Sequence, residues 1–505
     1  MAACSQGCRT RTAIKRRAGI VVNKARAAGT PRTSAGSCSE FSRYDAVGLA
    51  ELVRARQITP KELIEDAIGR IEALNPKLNA VIYKTYDRAL RQCTSAAASD
   101  GLFAGVPFLV KDNASIAGVA STLGSRAMVG NVPERTAPFF SATARAGLVL
   151  LGVTNMPEMG LIDGTENVLY GPTSNPWNLA YSPGGSSGGS AACVAAGIVP
   201  LAHGTDGGGS IRIPASHCGL FGLKASRGRL LPGGFANPTW PRLVEGALTR
   251  TVRDTAVFLS ATEDPKTPLP KLGLVSGKSP RRLKVAVMFE GMQGQAPHPQ
   301  VRKAVVGATQ LCRELGHIVV EAKPPLDQTA LGHAAKQVAA IDVAKSVDAI
   351  ARAKGIFRLE DGFESRALGL REQALLNGPF DGQVAAALPI LKTGAAALDR
   401  FFQQWDVILS PVLREPIFKT GMRNQATFSF RELDDMLCDY VAYTSLHNIC
   451  GTPAMSVPLD WDANGMPLGT QFAAPTGAEA TLLALAYELE ETRPWAAKRA
   501  PTFVA

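Results

Sequence analysis

An α/β protein built on a mainly parallel or mixed sheet is what the sequence predicts, and three observations predict it. Short apolar runs recur along the chain, amphipathic stretches lie between several of them, and 46% of the 505 residues are hydrophobic. Charged residues make up only 19%, which excludes a disordered or fibrous chain. A chain of this length can bury a large core.

The elements follow in order. Thr59-Pro60-Lys61-Glu62 reads as a capping box with proline at the first helical position. Leu63, Ile64, Ala67, Ile68, Ile71 and Leu74 continue it at helical spacing, and Asn75-Pro76 is expected to end it. Residues 105–110 read as a buried strand with Lys111-Asp112 at its end. A helix is expected over 137–146 and a strand over 148–153, with further strand candidates at 199–202, 283–288 and 407–409. Residues 230–280 and 325–440 alternate less clearly and are read as cap-like elaborations around the core.

The formal net charge of +11 comes from 54 Lys and Arg against 43 Asp and Glu. Residues 1–39 hold eight of the basic residues and no acid. The remaining 46 basic and 43 acidic residues leave only +3 on residues 40–505. A nucleic-acid-binding domain carries its basic excess on the surface that grips phosphate, so no nucleic-acid partner is expected for the body. Residues 1–39 are read as a basic extension: a disordered arm, sequence upstream of the true start, or an organelle transit peptide. Nine cysteines lie scattered without a Cys-x-x-Cys pair, so a disulfide framework or zinc module is not expected and a reducing, cytoplasmic setting fits. No run of about twenty apolar, uncharged residues marks a membrane span.

Two glycine-dense stretches interrupt the pattern, Pro183–Ser190 and Gly204–Ser210. Such density marks backbone in conformations other residues avoid, or backbone that must approach something closely. A phosphate cradle needs a lysine or a glycine spacing that neither stretch has. Gly184-Gly185-Ser186-Ser187-Gly188 satisfies the Gly-x-Ser-x-Gly elbow of α/β-hydrolases, but what precedes it is turn-like rather than a strand, and no histidine is marked as a base. A third reading joins the two stretches. Ser186 and Ser210 are separated by a small-residue helix and the 199–202 strand, a path that returns both serines to one sheet edge. Gly207, Gly208 and Gly209 then offer backbone N–H groups as an oxyanion hole for acyl transfer. A lysine made neutral by burial can serve as base, and Lys111 is the candidate.

With these residues in place the sequence resembles the amidase signature family. The resemblance rests on Gly184–Ser190, Gly204–Ala215, Cys218–Lys224, Gly105-Val106-Pro107 with Lys111-Asp112, Thr154–Glu158, Gly451–Ala454 and Gly465–Gly469, and covers roughly residues 40–500. It implies a single large domain over 40–505 with a central mixed sheet flanked by helices. It also implies a Ser–cis-Ser–Lys triad: Ser210 as acyl nucleophile, Ser186 as bridging serine after a cis peptide bond, Lys111 as base. The implied activity is hydrolysis of a carboxylic amide, aryl ester or carbamate through an acyl-enzyme, without metal or cofactor. Asn175–Leu179 and the ending Pro494–Arg499 look most like the branch acting on nylon-type oligomers, aryl acylamides and urethanes.

This sequence has Gly207 where the family commonly has a larger apolar residue, and Ala225-Ser226 where Pro-Thr is usual, which puts the rigidity of the oxyanion loop in question. Asn155 and Met156 are candidate substrate contacts by position. Arg212 is either a grip for a substrate carboxylate or a brace between loops, and Asp206 is expected to order its own loop. The expected partner is a small-molecule amide, with no membrane. A homodimer is among the open oligomeric states. The alternative within the family is the glutaminase subunit of a tRNA-dependent amidotransferase; the alternative of another class is a non-catalytic nucleic-acid-binding protein led by the basic tail.

Overall fold

In the computed structural model, residues 41–93 and 101–503 are described; the expected basic extension, 1–39, lies outside them. Thr59 caps α1 (Pro60–Leu78) as its sequence requires: its hydroxyl accepts the Glu62 N–H, and the Glu62 carboxylate accepts the Thr59 N–H at 2.7 Å. The expected stop at Asn75-Pro76 is not observed, because the helix runs on to Leu78 with Pro76 inside its last turn. The Asn75 side chain supports this exit by accepting the N–H groups of Ala80 and Val81, and Asn79 closes the helix in the left-handed conformation.

Eleven strands form one mixed sheet. In chain order they are β1 (Val81–Lys84), β2 (Pro107–Lys111), β3 (Val149–Thr154), β4 (Leu201–Asp206), β5 (Phe221–Lys224), β6 (Val244–Thr249), β7 (Lys284–Val287), β8 (Ile318–Glu321), β9 (Val407–Pro411), β10 (Ala454–Trp461) and β11 (Pro467–Ala473). Their spatial order is β1-β3-β2-β4-β6-β5-β10-β11-β9-β7-β8. β3, β2 and β4 run parallel, as do β9, β7 and β8, while the middle of the sheet is antiparallel. Both faces are covered, which is why the central strands read as continuous apolar runs. Phe108, Val110 and Leu201 point into one core cluster; Leu109 and Ala202 point into the other, beside Ile64, Ala67 and Ile71 of α1.

The two stretches expected to be elaborations contain more of the sheet than their patterns indicate. Residues 230–280 include β6, a fully buried strand between β4 and β5. Its Glu245 and Gly246 break the apolar pattern, and Glu245 is tolerated inside because it bonds His203. Residues 325–440 contribute β9 and also a helical layer, α5 (Gln328–Lys354), α6 (Ser365–Leu376), α7 (Phe380–Phe401) and α8 (Phe430–Tyr440). Here Ile341, Val347, Phe363 and Leu370 form a core of their own.

Helix α2 (Pro138–Arg145) precedes β3, and two further short helices place the glycine-dense stretches. Helix α3 (Gly188–Ala195) follows Ser186 and consists of small, fully buried residues. Its Gly189 lies against the end of β3, where an added Cβ would come within 2.6 Å of the backbone N and O of Asn155. Helix α4 (Arg212–Cys218) follows Ser210. Because β2 and β4 are parallel neighbours, Lys111 and the start of the Gly207–Ser210 loop emerge at the same edge of the sheet. A Gly189→Ala substitution is expected to cost about 1–3 kcal/mol by overpacking, measured by urea denaturation; an unchanged transition midpoint would show that α3 is free to shift.

Candidate active site

Lys111 ends β2 and is 1% exposed. Its amine lies 2.6 Å from Ser186 Oγ, 3.1 Å from Ser187 Oγ and 3.0 Å from Thr205 Oγ1. Burial lowers its pKa to about 7, opposed in part by the negative charges of Glu245 and Asp206. A protonated amine can donate to all three hydroxyls. A neutral one has a lone pair to accept a proton, and Ser186, the shortest contact, is placed to donate it. The Gly185–Ser186 peptide bond is cis.

Ser210 is half-buried and opens on a cavity of about 620 Å³ that Lys111, Ser186, Gly207 and Gly208 also line. Among the described residues its hydroxyl makes no hydrogen bond with Ser186 or with any other group. The loop before it is pinned from both sides. Gly208 O accepts the hydroxyls of Thr444 and Ser445, and Gly209 N–H donates to Asp206 Oδ1 at 2.7 Å. The N–H groups of Gly207, Gly208 and Ser210 have no protein acceptor among the described residues. Of the three expected oxyanion donors, Gly209 is therefore the one already engaged, and the Ser210 N–H is a free donor that the sequence reading left out.

Asp206 organises this loop. Its carboxylate also accepts the Ile211 N–H, the Asn448 amide and two guanidinium bonds from Arg212. Burial raises its pKa, but the positive charges of Arg212 and Lys224 outweigh that and hold the carboxyl well below the usual range. Arg212 itself is fully buried and spends all five N–H groups on Asp206, Asn448, Gln471 and the Thr444 carbonyl. None is left for a substrate carboxylate, so the structure gives Arg212 the bracing role and not the gripping one. Asn155 is likewise committed: its amide donates to Gly171 O and Thr173 Oγ1, and its oxygen accepts from Met156 and Asn167. Met156 does line the cavity.

His203 and His217 are structural. His203 Nδ1 accepts the Lys111 N–H and its Nε2 is 2.7 Å from Glu245; His217 is buried against Tyr440, and burial lowers its pKa to about 4. Ser186 leaves a loop, not a strand, which removes the elbow geometry of an α/β-hydrolase. No group of three His, Cys, Asp or Glu among the described residues is arranged to hold a metal, and no described helix is long and apolar enough to cross a membrane. Thr205, Ser187, Glu245 and Asn448 were not foreseen. The first two stand inside the glycine motifs, whereas the others reach the site from distant sequence.

This fold and this edge-of-sheet serine–lysine cluster define a hydrolase of the amidase class. The profile of the Amidase family matches residues 62–483, and the chain belongs to that family. Its members and close structural neighbours are hydrolases of carbon–nitrogen bonds in non-peptide amides. The AmiC protein of Mycobacterium leprae is 39% identical over 470 residues, covering 90% of this chain and 96% of that one. The 6-aminohexanoate-cyclic-dimer hydrolase of Paenarthrobacter ureafaciens is 34% identical over 90% of this chain and 96% of its own length. A solved structure of a 6-aminohexanoate cyclic dimer hydrolase superposes with a TM-score of 0.82 over 91% of this chain and 99% of that one, at 33% identity. A bacterial aryl acylamidase gives 0.78 over 90% and 96%, at 29% identity.

Replacing Arg212 with leucine is expected to cost about 3–5 kcal/mol, since it strands the Asp206 carboxylate in the interior. Chemical denaturation of Arg212→Leu beside wild type measures this; a loss under about 1 kcal/mol would mean that Asp206 finds other partners.

Proposed function

We propose that this protein hydrolyses a small carboxylic amide by a Ser210–Ser186–Lys111 relay and an acyl-enzyme. The observation that carries the proposal is the Lys111 amine, buried, with a pKa near neutrality, 2.6 Å from Ser186 Oγ beneath the cavity that Ser210 enters. Ser210 Oγ attacks the amide carbonyl carbon while its proton passes to Ser186 Oγ, and the Ser186 proton passes to the neutral amine of Lys111. The carbonyl oxygen becomes an oxyanion facing the free N–H groups of Gly207, Gly208 and Ser210. The relay then runs backwards, protonating the leaving amine as the C–N bond breaks. Water releases the acid by the same relay and restores Ser210.

Similarity to the cyclic-dimer hydrolase and the aryl acylamidase supports secondary amides and anilides as the first substrates to test, with aryl esters and carbamates beside them. The comparisons favour neither the glutaminase-subunit nor the nucleic-acid-binding alternative.

Ser186→Ala and Lys111→Ala are each expected to lower kcat/KM on a simple anilide by about 10²–10⁴, and Ser210→Ala to abolish nucleophilic turnover. Full turnover by Ser210→Ala would sink the assignment. The base must be neutral to accept a proton, so kcat/KM is expected to rise with pH through a limb near 7. The Glu245 carboxylate raises the Lys111 pKa, so Glu245→Gln is expected to move that limb to lower pH. A limb that stays in place or moves to higher pH would assign the titration to another group.

A further inference from the structure

Most charged side chains lining the cavity are already paired. Asp163 receives both bonds of the Arg423 fork, Lys336 and Arg366 share the Asp434 carboxylate, and Asp439 is bonded by Arg414. Asp435 has no partner among the described residues but is exposed. Arg242 is different.

It lines the cavity, is half-buried, and has no hydrogen-bond or ion-pair partner for its guanidinium among the described residues. It stands two residues before β6, beside the glycine loop. Its own carbonyl accepts the Asn448 amide that also holds Asp206, and Leu243 Cδ1 lies 3.2 Å from where a Cβ on Gly207 would sit. Asp342, the carboxylate that acts on Arg242 electrostatically, bonds the hydroxyl and N–H of Thr239 instead. Burial lowers the Arg242 pKa, yet a guanidinium remains charged at neutral pH. A half-buried cation that faces the cavity with no protein partner among the described residues is placed to receive an anion.

We propose that Arg242 forms an anion subsite in the cavity and that the amide substrate carries a carboxylate bound by its fork. This rests on the amidase reading of Ser210, and it adds a substrate class to it: amides of dicarboxylic acids or of amino acids, with the carboxylate on the acyl half or the amine half. The Gly207–Ser210 loop would hold the reacting carbonyl while Arg242 holds the charge.

Two pairs of probes separate the halves. Glutaranilate is compared with valeranilide, and N-acetyl-4-aminobenzoate with 4-methylacetanilide; each pair differs by a carboxylate against a methyl group. Wild type, Arg242→Gln and Arg242→Lys are assayed for kcat and KM on all four. Wild type is expected to prefer one charged probe over its neutral analogue. In Arg242→Gln that preference is expected to fall about ten- to a hundredfold, through KM, and Arg242→Lys to restore part of it. Which charged probe responds identifies the half that carries the anion. If the charged and neutral probes fall together in Arg242→Gln, or neither charged probe is preferred, the subsite is overturned. Calorimetric binding of the charged probes to Ser210→Ala, with and without Arg242→Gln, reads the same subsite without turnover; equal binding by both variants overturns it. Ser210-dependent hydrolysis of the neutral anilides with no charge preference would leave the amidase reading standing and remove only the subsite.

Discussion

Taking the Lys111 amine out of water is the constraint on which the rest of the site depends. An ammonium in bulk solvent holds its proton at neutral pH and cannot act as a base. At the end of β2, closed in by the sheet and by α3, the amine meets three hydroxyls and no carboxylate in contact. Burial therefore dominates its pKa, and the more distant charges of Glu245 and Asp206 restore only part of the loss. A salt bridge in the same place would hold the proton on the lysine and leave the serines without an acceptor. For the proposed relay, the all-hydroxyl shell is thus a chemical requirement as well as a packing solution.

A second network fixes what the first acts upon. Asp206 ends β4, receives the Gly209 N–H and anchors Arg212, and both reach Asn448 on the short helix Ser445–Cys450. This arrangement turns one N–H of the glycine loop inward and leaves its neighbours without protein acceptors. Gly207, where a larger residue is usual in the family, does not leave the loop unsupported. Thr444 and Ser445 hold Gly208 from one side, and Asp206 holds Gly209 from the other. The loop is held by its hydrogen bonds, not by the bulk of that side chain.

The sheet and the serine–lysine cluster were legible in the sequence to different degrees. Strands 2, 3 and 9 announce themselves as apolar runs because both of their faces are buried. β6 does not, since a glutamate and a glycine interrupt it, and the reason for the glutamate is a histidine on the neighbouring strand. Lys111, Ser186 and Ser210 stand out locally because glycine-rich backbone and a strand end mark them, and the structure brings Lys111 and Ser186 into contact. The role of Arg212 could not be read that way: its partners Thr444, Asn448 and Gln471 lie 232, 236 and 259 residues further along. Local pattern shows where backbone is unusual; it does not show which donors are already taken.

The proposed relay depends on the protonation state of one side chain, and that state can be observed directly. Lys111 would be followed by NMR in lysine-labelled protein, with Lys111→Ala identifying its signal, because Lys224 is also fully buried with its pKa lowered to about 7. The amine is expected to titrate near pH 7. A Lys111 signal that stays protonated up to the ordinary lysine range, about 10.4, would contradict the relay, since Ser186 would then have no neutral amine to receive its proton.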